Sequence, residues 1–200
     1  MENSLSRTAA VKRDTSETRI ALTLDLDGSG DSEIATGIGF FDHMMTHIAR
    51  HGLLSLNIDA TGDTHIDDHH TVEDVGIAFG TALKDALGDK CGIARYGDAT
   101  VPMDETLITC AIDFSGRGAF YTNLQFPDTR IGQTFASELV EEFFHAVARN
   151  AGMTLHIRQI AGTNAHHIAE GAFKAFGRAL KTAVAYDSRV AGIPSTKGVL

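Results

Sequence analysis

Apolar positions along this 200-residue chain fall into strand-like and helix-like rhythms that occur twice in the same order. Ile20 to Asp27 alternates apolar and polar residues, the pattern of a half-buried strand. Asp27-Gly28-Ser29-Gly30 is turn chemistry, and a second strand is expected near Glu33 to Thr36. Phe40 to Arg50 changes to a helical period that Gly52 stops, and Leu53 to Ala60 reads as a strand. Asp68 stands as N-cap of a helix that buries Val72, Val75, Phe79 and Leu83 and ends near Gly88. Ile93 to Thr100 reads as a Gly-containing connector and as the seam between halves of about 9–95 and 96–193.

The order then returns. Strands are expected over Leu107 to Asp113 and Phe120 to Leu124, and Ser137 opens a helix carrying Val140, Phe143, Phe144 and Val147 as far as Gly152. Thr154 to Ala161 is a strand, and Asn164 caps a last helix with Ile168, Phe173, Phe176 and Leu180 facing inward. Each half is thus β-β-α-β-α, and two such halves form an α+β protein whose sheets are covered by helices on one face. Residues 1–8 read as a loose tail, and residues 193–200 as a polar loop without helical period.

Chemistry concentrates where the repeat is clearest. Asp67-Asp68-His69-His70-Thr71-Val72-Glu73-Asp74 returns as His166-His167-Ile168-Ala169-Glu170. At the same offset Phe79-Gly80-Thr81-Ala82-Leu83-Lys84 returns as Phe176-Gly177-Arg178-Ala179-Leu180-Lys181, which makes internal duplication the better reading. In a helix both histidines of a pair lie near the face of the following glutamate, three and four residues on. The two histidines project about 100° apart, so each pair offers ligands to two metals rather than one. His43, His47 and His51 recur every fourth residue and share one helix face. Nitrogen-rich donors with one carboxylate suit manganese, iron or zinc and disfavour calcium.

Composition narrows the partners. A net charge of −9 argues against a general binder of nucleic acid or anionic membranes. Cys91 and Cys110 form no C-x-x-C pair and read as ordinary small apolar residues of a reducing compartment. No apolar run approaches a membrane span, and Met1 to Thr15 carries no signal-peptide core, so a cytoplasmic protein is expected. Arg95, Arg117 and Lys197 lie in Gly-containing or polar segments suited to holding an anion, with Ser195, Thr196 and the backbone around Gly198 as further donors. There is no Walker A loop, no strand-linked G-x-G-x-x-G and no G-x-S-x-G elbow.

Together, Phe41-Asp42-His43-Met44, the two histidine-pair motifs and Pro194-Ser195-Thr196-Lys197-Gly198 resemble the imidazoleglycerol-phosphate dehydratase family from about Arg7 to Leu200. The resemblance implies the ribosomal protein S5 domain 2-like fold and dehydration of imidazole-glycerol phosphate to imidazole-acetol phosphate in histidine biosynthesis. It also implies two Mn2+ ions per active site and a homo-oligomer of 24 subunits with sites between them. Zn2+ or Fe2+ also fit the donor set. By motif, one metal takes His43, His70, Glu73 and His167. The other takes His69, His166, Glu170 and a residue of the helix near Glu142, where plant and fungal relatives have histidine and where His145 lies one turn on. Glu17 matches the acid–base residue. Arg95, Arg117, Ser195 and Lys197 match the phosphate positions, and His51 and Thr196 join the substrate set. Two alternatives use the same ligands: a dinuclear hydrolase of a small phosphorylated substrate, and a structural cage that needs no acid–base residue.

Overall fold

The structure, a computed structural model, describes residues 7–200. The first half runs β1 (Thr8–Asp14), β2 (Thr18–Asp25), β3 (Ser32–Ala35), α1 (Gly39–Gly52), β4 (Ser55–Gly62) and α2 (His69–Leu87). The second runs β5 (Tyr96–Met103), β6 (Thr106–Asp113), β7 (Ala119–Thr122), the short pair β8 (Arg130–Ile131) and β9 (Phe135–Ala136), α3 (Leu139–Ala151), β10 (Thr154–Ala161) and α4 (Ala165–Val184). The two four-stranded sheets have the orders β1-β2-β4-β3 and β5-β6-β10-β7, the same topology twice. In each sheet the last pairing is parallel and the other two are antiparallel. The α+β, duplicated architecture is the expected one, with one further strand in each four-stranded sheet and the short β8–β9 pair besides.

The further strands of the four-stranded sheets are the outer edges, β1 and β5, and they correct the expected tail and connector. An edge strand pairs on one side and needs few large apolar side chains. Along β1 only Ala9, Val11 and Arg13 turn toward the protein, each half-buried, so the strand pattern is weak. In β5 the inward positions are Gly97, Ala99 and Val101. Gly97 is required because α4 crosses directly above it, and a Cβ there would lie 2.1 Å from the Ala179 carbonyl oxygen. Residues 1–6 of the expected tail lie outside the described residues. Arg7 is buried, with its guanidinium bonded to Asp27 and the Val184 carbonyl and 4.3 Å from the Tyr186 ring centre.

Three helix ends also differ from expectation. Before α3 the cap position falls to Glu138, not Ser137, and no side chain makes a capping bond there. Leu53, not Gly52, takes the left-handed cap position (φ 53°) after α1. Asp68 makes no side-chain capping bond; Asp67 Oδ1 instead accepts from the His69 N–H at 2.9 Å. Asn164 caps α4 as expected, accepting from the His166 and His167 N–H groups.

The halves meet through their helices. α2 lies on β1, β2 and β4 and against α3; α4 lies on β5 and β6 and against α1. Phenylalanines from all four helices interlock there. Phe143 of α3 sits 5.4 Å from Phe41 of α1, 6.5 Å from Phe79 of α2 and 5.2 Å from Phe173 of α4, ring centre to ring centre. These rings are fully buried, and removing such a ring from water contributes roughly 1.5–3 kcal/mol. The shared core fixes the helix starts, where the histidines stand.

Candidate functional site

α1 and α4 run in the same sense and touch along their backbones. A Cβ on Gly177 would lie 3.0 Å from the Ile48 carbonyl oxygen and 3.2 Å from the Gly52 nitrogen. That close approach brings the histidine face of α1 onto the first turns of α4. Glu170 is the hub: its Oε2 is 3.0 Å from His166 Nε2 and 3.4 Å from His43 Nε2, and its Oε1 is 3.2 Å from His47 Nε2. Lys174 Nζ closes on Oε1 at 2.5 Å. Burial pushes the Glu170 carboxyl up, but the Lys174 hydrogen bond, His47 and His166 outweigh it and hold the group down at about 2. Burial pulls His47 down to about 4, so its ring is neutral at neutral pH.

The ligand atoms of His43, His166 and Glu170 all lie within 4.8 Å of one another, the one such group among the described residues. Two imidazoles and an ionised carboxylate are a donor set that fits manganese, iron or zinc. The side chains of His43 and His166 remain 48% and 45% exposed, which leaves an open side for further ligands. Within one chain His43 thus groups with His166 and Glu170, whereas the family motif assigns it to the metal of His70, Glu73 and His167.

At the start of α2, His69 Nε2 faces Glu73 Oε2 at 4.0 Å. His70 turns away: its Nδ1 lies 3.0 and 3.2 Å from the two Asp63 oxygens and 3.9 Å from Glu17 Oε2. The Asp63 hydrogen bond raises the His70 pKa. Glu73, Glu142 and His145 line one cleft of about 700 Å³ between α2 and α3. At the start of α4, His167 Nδ1 meets Glu105 Oε2 at 2.8 Å, which raises the histidine and holds the Glu105 carboxyl down at about 2. His69, His70, Glu73, Glu142 and His167 join no three-ligand group among the described residues.

The anion candidates gather elsewhere. Arg95 adopts a left-handed backbone (φ 69°), a conformation that costs a non-glycine residue on the order of 1 kcal/mol. Its N–H donates to the Ala183 carbonyl at 2.9 Å and its own carbonyl accepts from Phe114 at 3.2 Å. The guanidinium pairs with Asp113 at 2.7 Å and donates to the Pro194 carbonyl at 2.8 Å, strapping down the C-terminal segment. That segment turns at Ser195, whose Oγ accepts from the Lys197 N–H at 3.2 Å and whose carbonyl accepts from Gly198 at 3.0 Å. It ends beside the Arg117 loop, where a Cβ on Gly116 would meet the Leu200 carbonyl carbon at 2.8 Å. Thr196, Lys197 and Arg117 are exposed, and Arg117 Nη1 donates to the Ser115 carbonyl at 3.3 Å. His51 lies apart from this loop, in a cleft of about 210 Å³ with Arg178 and Lys181. Burial, then Lys174 and Arg178, lowers its pKa.

These two regions are far apart within one chain. Arg95 is bonded to Ala183 in the last turn of α4, while His166 stands in its first turn. At 1.5 Å per residue that separation is about 25 Å.

Three residues of this arrangement escape a reading of the sequence. Lys174 was findable, since it stands one turn beyond Glu170 on the same helix face. Asp63 and Glu105 carry no local signal, because each acts on a histidine from a separate strand end or turn.

Comparison with known proteins supplies relatives. The family described as "Imidazoleglycerol-phosphate dehydratase" matches residues 36–180. The imidazoleglycerol-phosphate dehydratase of Desulforamulus reducens is 60% identical over 196 residues, covering 98% of this chain and 100% of the relative. That of Moorella thermoacetica is 56% identical with the same coverage. The crystal structure of the Staphylococcus aureus enzyme superposes with a TM-score of 0.82 at 42% identity, covering 90% of this chain and 99% of its own. The Pyrococcus furiosus structure, in complex with (S)-C348, gives 0.82 at 37% identity over 95% and 100%.

Proposed function

The chain belongs to the imidazoleglycerol-phosphate dehydratase family, hydro-lyases of histidine biosynthesis, and from that premise we propose how its own residues bind the substrate and move protons. The observation that carries the reading is the convergence of His43, His166 and Glu170 within 4.8 Å. These residues, with His69, His70, Glu73, His167 and Glu142, are the proposed ligands of two metal ions, Mn2+ by family resemblance and Zn2+ or Fe2+ by donor chemistry. Metal ions bound at the imidazole nitrogens would supply Lewis acidity for the negative charge that develops in the ring during elimination.

The chain's residues do the rest. Arg95, Arg117, Ser195, Thr196 and Lys197 hold the phosphate, with His51 contributing from the α1–α4 cleft. Glu17 projects from the β1–β2 turn, exposed and 3.9 Å from His70, where its carboxyl can deliver a proton to the departing hydroxyl. Loss of the C–H proton and of that hydroxyl as water leaves an enol, which becomes the ketone of imidazole-acetol phosphate.

A ring, three carbons and a phosphate span far less than the 25 Å or so between the α4 start and the Arg95 loop. One chain therefore cannot hold both ends of one substrate molecule in these two regions. The ends must come from different subunits of a symmetric homo-oligomer, with 24 subunits as the family resemblance implies. The two repeats are taken as about 9–95 and 96–193, with the substrate loop at 193–200. A cytoplasmic location fits two unpaired cysteines, one of them buried. Among the described residues no helix is long and apolar enough to cross a membrane, and the charge of −9 disfavours nucleic acid.

The test is to strip the purified protein of metal and supply imidazole-glycerol phosphate. Formation of the keto product should stop, and should return with Mn2+. Undiminished product from protein verified to be metal-free would end the metal reading.

A further inference from the structure

Glu17 and Glu105 occupy corresponding places in the two halves. Each immediately precedes the first residue of the second strand of its sheet, and that residue is a buried threonine, Thr18 or Thr106. Each turn also faces the second histidine of its half's pair. In the second half Glu105 Oε2 reaches His167 Nδ1 at 2.8 Å. In the first half Glu17 stops 3.9 Å from His70 Nδ1, and Asp63 makes the contact instead at 3.0 and 3.2 Å.

We propose that Asp63 and Glu105 are positioning residues that set the tautomer and ring orientation of His70 and His167, and that Asp63's taking this task leaves Glu17 free for proton transfer. The inference rests on the reading of His70 and His167 as metal ligands. An ionised carboxylate only accepts hydrogen bonds, so the histidine Nδ1 facing it carries the proton. The Nε2 lone pair is then left to bind a metal, and the ring cannot flip without losing its bond. The first histidine of each pair is arranged differently, with Nε2 toward the glutamate one turn on, at 4.0 Å for His69 and 3.0 Å for His166.

Glu105 is itself fixed. Its Oε1 accepts from Thr106 Oγ1 at 2.9 Å, from the Asn164 N–H at 3.0 Å and from the Thr163 N–H at 3.3 Å, so only Oε2 is free for His167. The same residue therefore secures the loop that carries the Asn164 cap and the ring of the second histidine after it. Asp104 Oδ2, 3.9 Å from His167 Nε2, is too far to compete by hydrogen bonding.

The experiment measures Mn2+ affinity by chelator competition, and the electron paramagnetic resonance spectrum of bound Mn2+, on the full-length assembled protein. Glu105→Ala and Asp63→Ala should each raise the Kd by about 10–100-fold, the range for lost partners of metal-bound histidines. Asp63→Asn, whose amide oxygen still accepts from Nδ1–H, should lose less, about threefold. Glu105→Gln has one oxygen for two tasks. Kept on the Thr106, Thr163 and Asn164 donors, it turns its NH2 toward His167 Nδ1 and favours the other tautomer, so its Kd should rise as far as in the alanine variant while its metal-free thermal stability stays near the parent. Should an alanine variant fail to fold, the amide variant at that position decides. Glu17→Gln should leave the Kd unchanged. His70→Ala and His167→Ala separate the two readings, since both must lose bound metal if these histidines are ligands. If they lose it while the substitutions at 63 and 105 leave Kd and spectrum unaltered, the positioning role is refuted. If His70→Ala and His167→Ala retain full metal, the ligand assignment beneath it is refuted instead.

Discussion

Glu17→Gln can separate chemistry from stability, because the Glu17 side chain takes little part in holding the fold. The Glu17 side chain is exposed and makes no hydrogen bond among the described residues, where its carboxylate lies 3.9 Å from His70 Nδ1. Everything that fixes the residue passes through its backbone, whose N–H donates to Thr15 Oγ1 at 3.1 Å and whose carbonyl accepts from Asp63 at 3.1 Å. The neighbouring Thr18 hydroxyl is anchored to the buried Asp74 carboxylate at 2.5 Å. Glutamine preserves all of this. The change in folding free energy is therefore expected within about 0.5 kcal/mol, the usual scatter for exposed substitutions. The loss of a general acid–base group lowers turnover by at least about a hundredfold, or roughly 2.7 kcal/mol of activation free energy. The assay compares keto-product formation, bound metal per chain and denaturant midpoint in the parent and the variant. Turnover within a few-fold of the parent, at equal metal content, would remove Glu17 from the mechanism.

Other expectations follow from the same geometry. Lys197→Ala and Arg117→Ala should weaken substrate binding about tenfold or more, at roughly 1.5–3 kcal/mol per charge-assisted contact, while free imidazole or triazole binds as before; calorimetry showing equal losses for both ligand types overturns the phosphate assignment. In metal-free protein, His47 is held near 4 in the folded state against 6.5 in the unfolded chain, so the unfolded state binds more protons between those values. Stability should then rise with pH across that window by up to roughly 3 kcal/mol and fall again on acidification. His47→Gln should flatten this slope in urea titrations, and an unchanged slope rules out His47 as its source. Chelation, or a pH of about 5, below the usual histidine pKa, should release metal and shrink the particle to smaller oligomers, with Mn2+ at neutral pH rebuilding it. Light scattering that finds a metal-free particle of unchanged mass would show that metals do not hold the assembly.

The helices and inner strands were legible in the chain itself because their burial is periodic and their punctuation local. Val72, Val75, Phe79 and Leu83 fall on one face of α2, and Asn164 sits where the first N–H groups of α4 need an acceptor. The duplicated histidine pairs were legible for the same reason, since a ligand pair within one helical turn is a short-range pattern. The edge strands β1 and β5 were not, because a strand paired on one side and packed beneath a close-lying helix can be built from Ala9, Gly97 and Ala99. Nor was the capping role of Asp67, which depends on the path the chain takes out of β4.

What the sequence alone determined, then, were the residue types that meet at each helix start. The tertiary structure alone decided which starts meet. The contact of Gly177 with α1 sets His43 and His47 against Glu170 across more than a hundred residues of chain. The β5–β6 turn delivers Glu105 to His167, and the fold sends Asp63 rather than Glu17 to His70. No local pattern encodes these meetings, because they depend on how two sheets and four helices pack around the shared phenylalanine core.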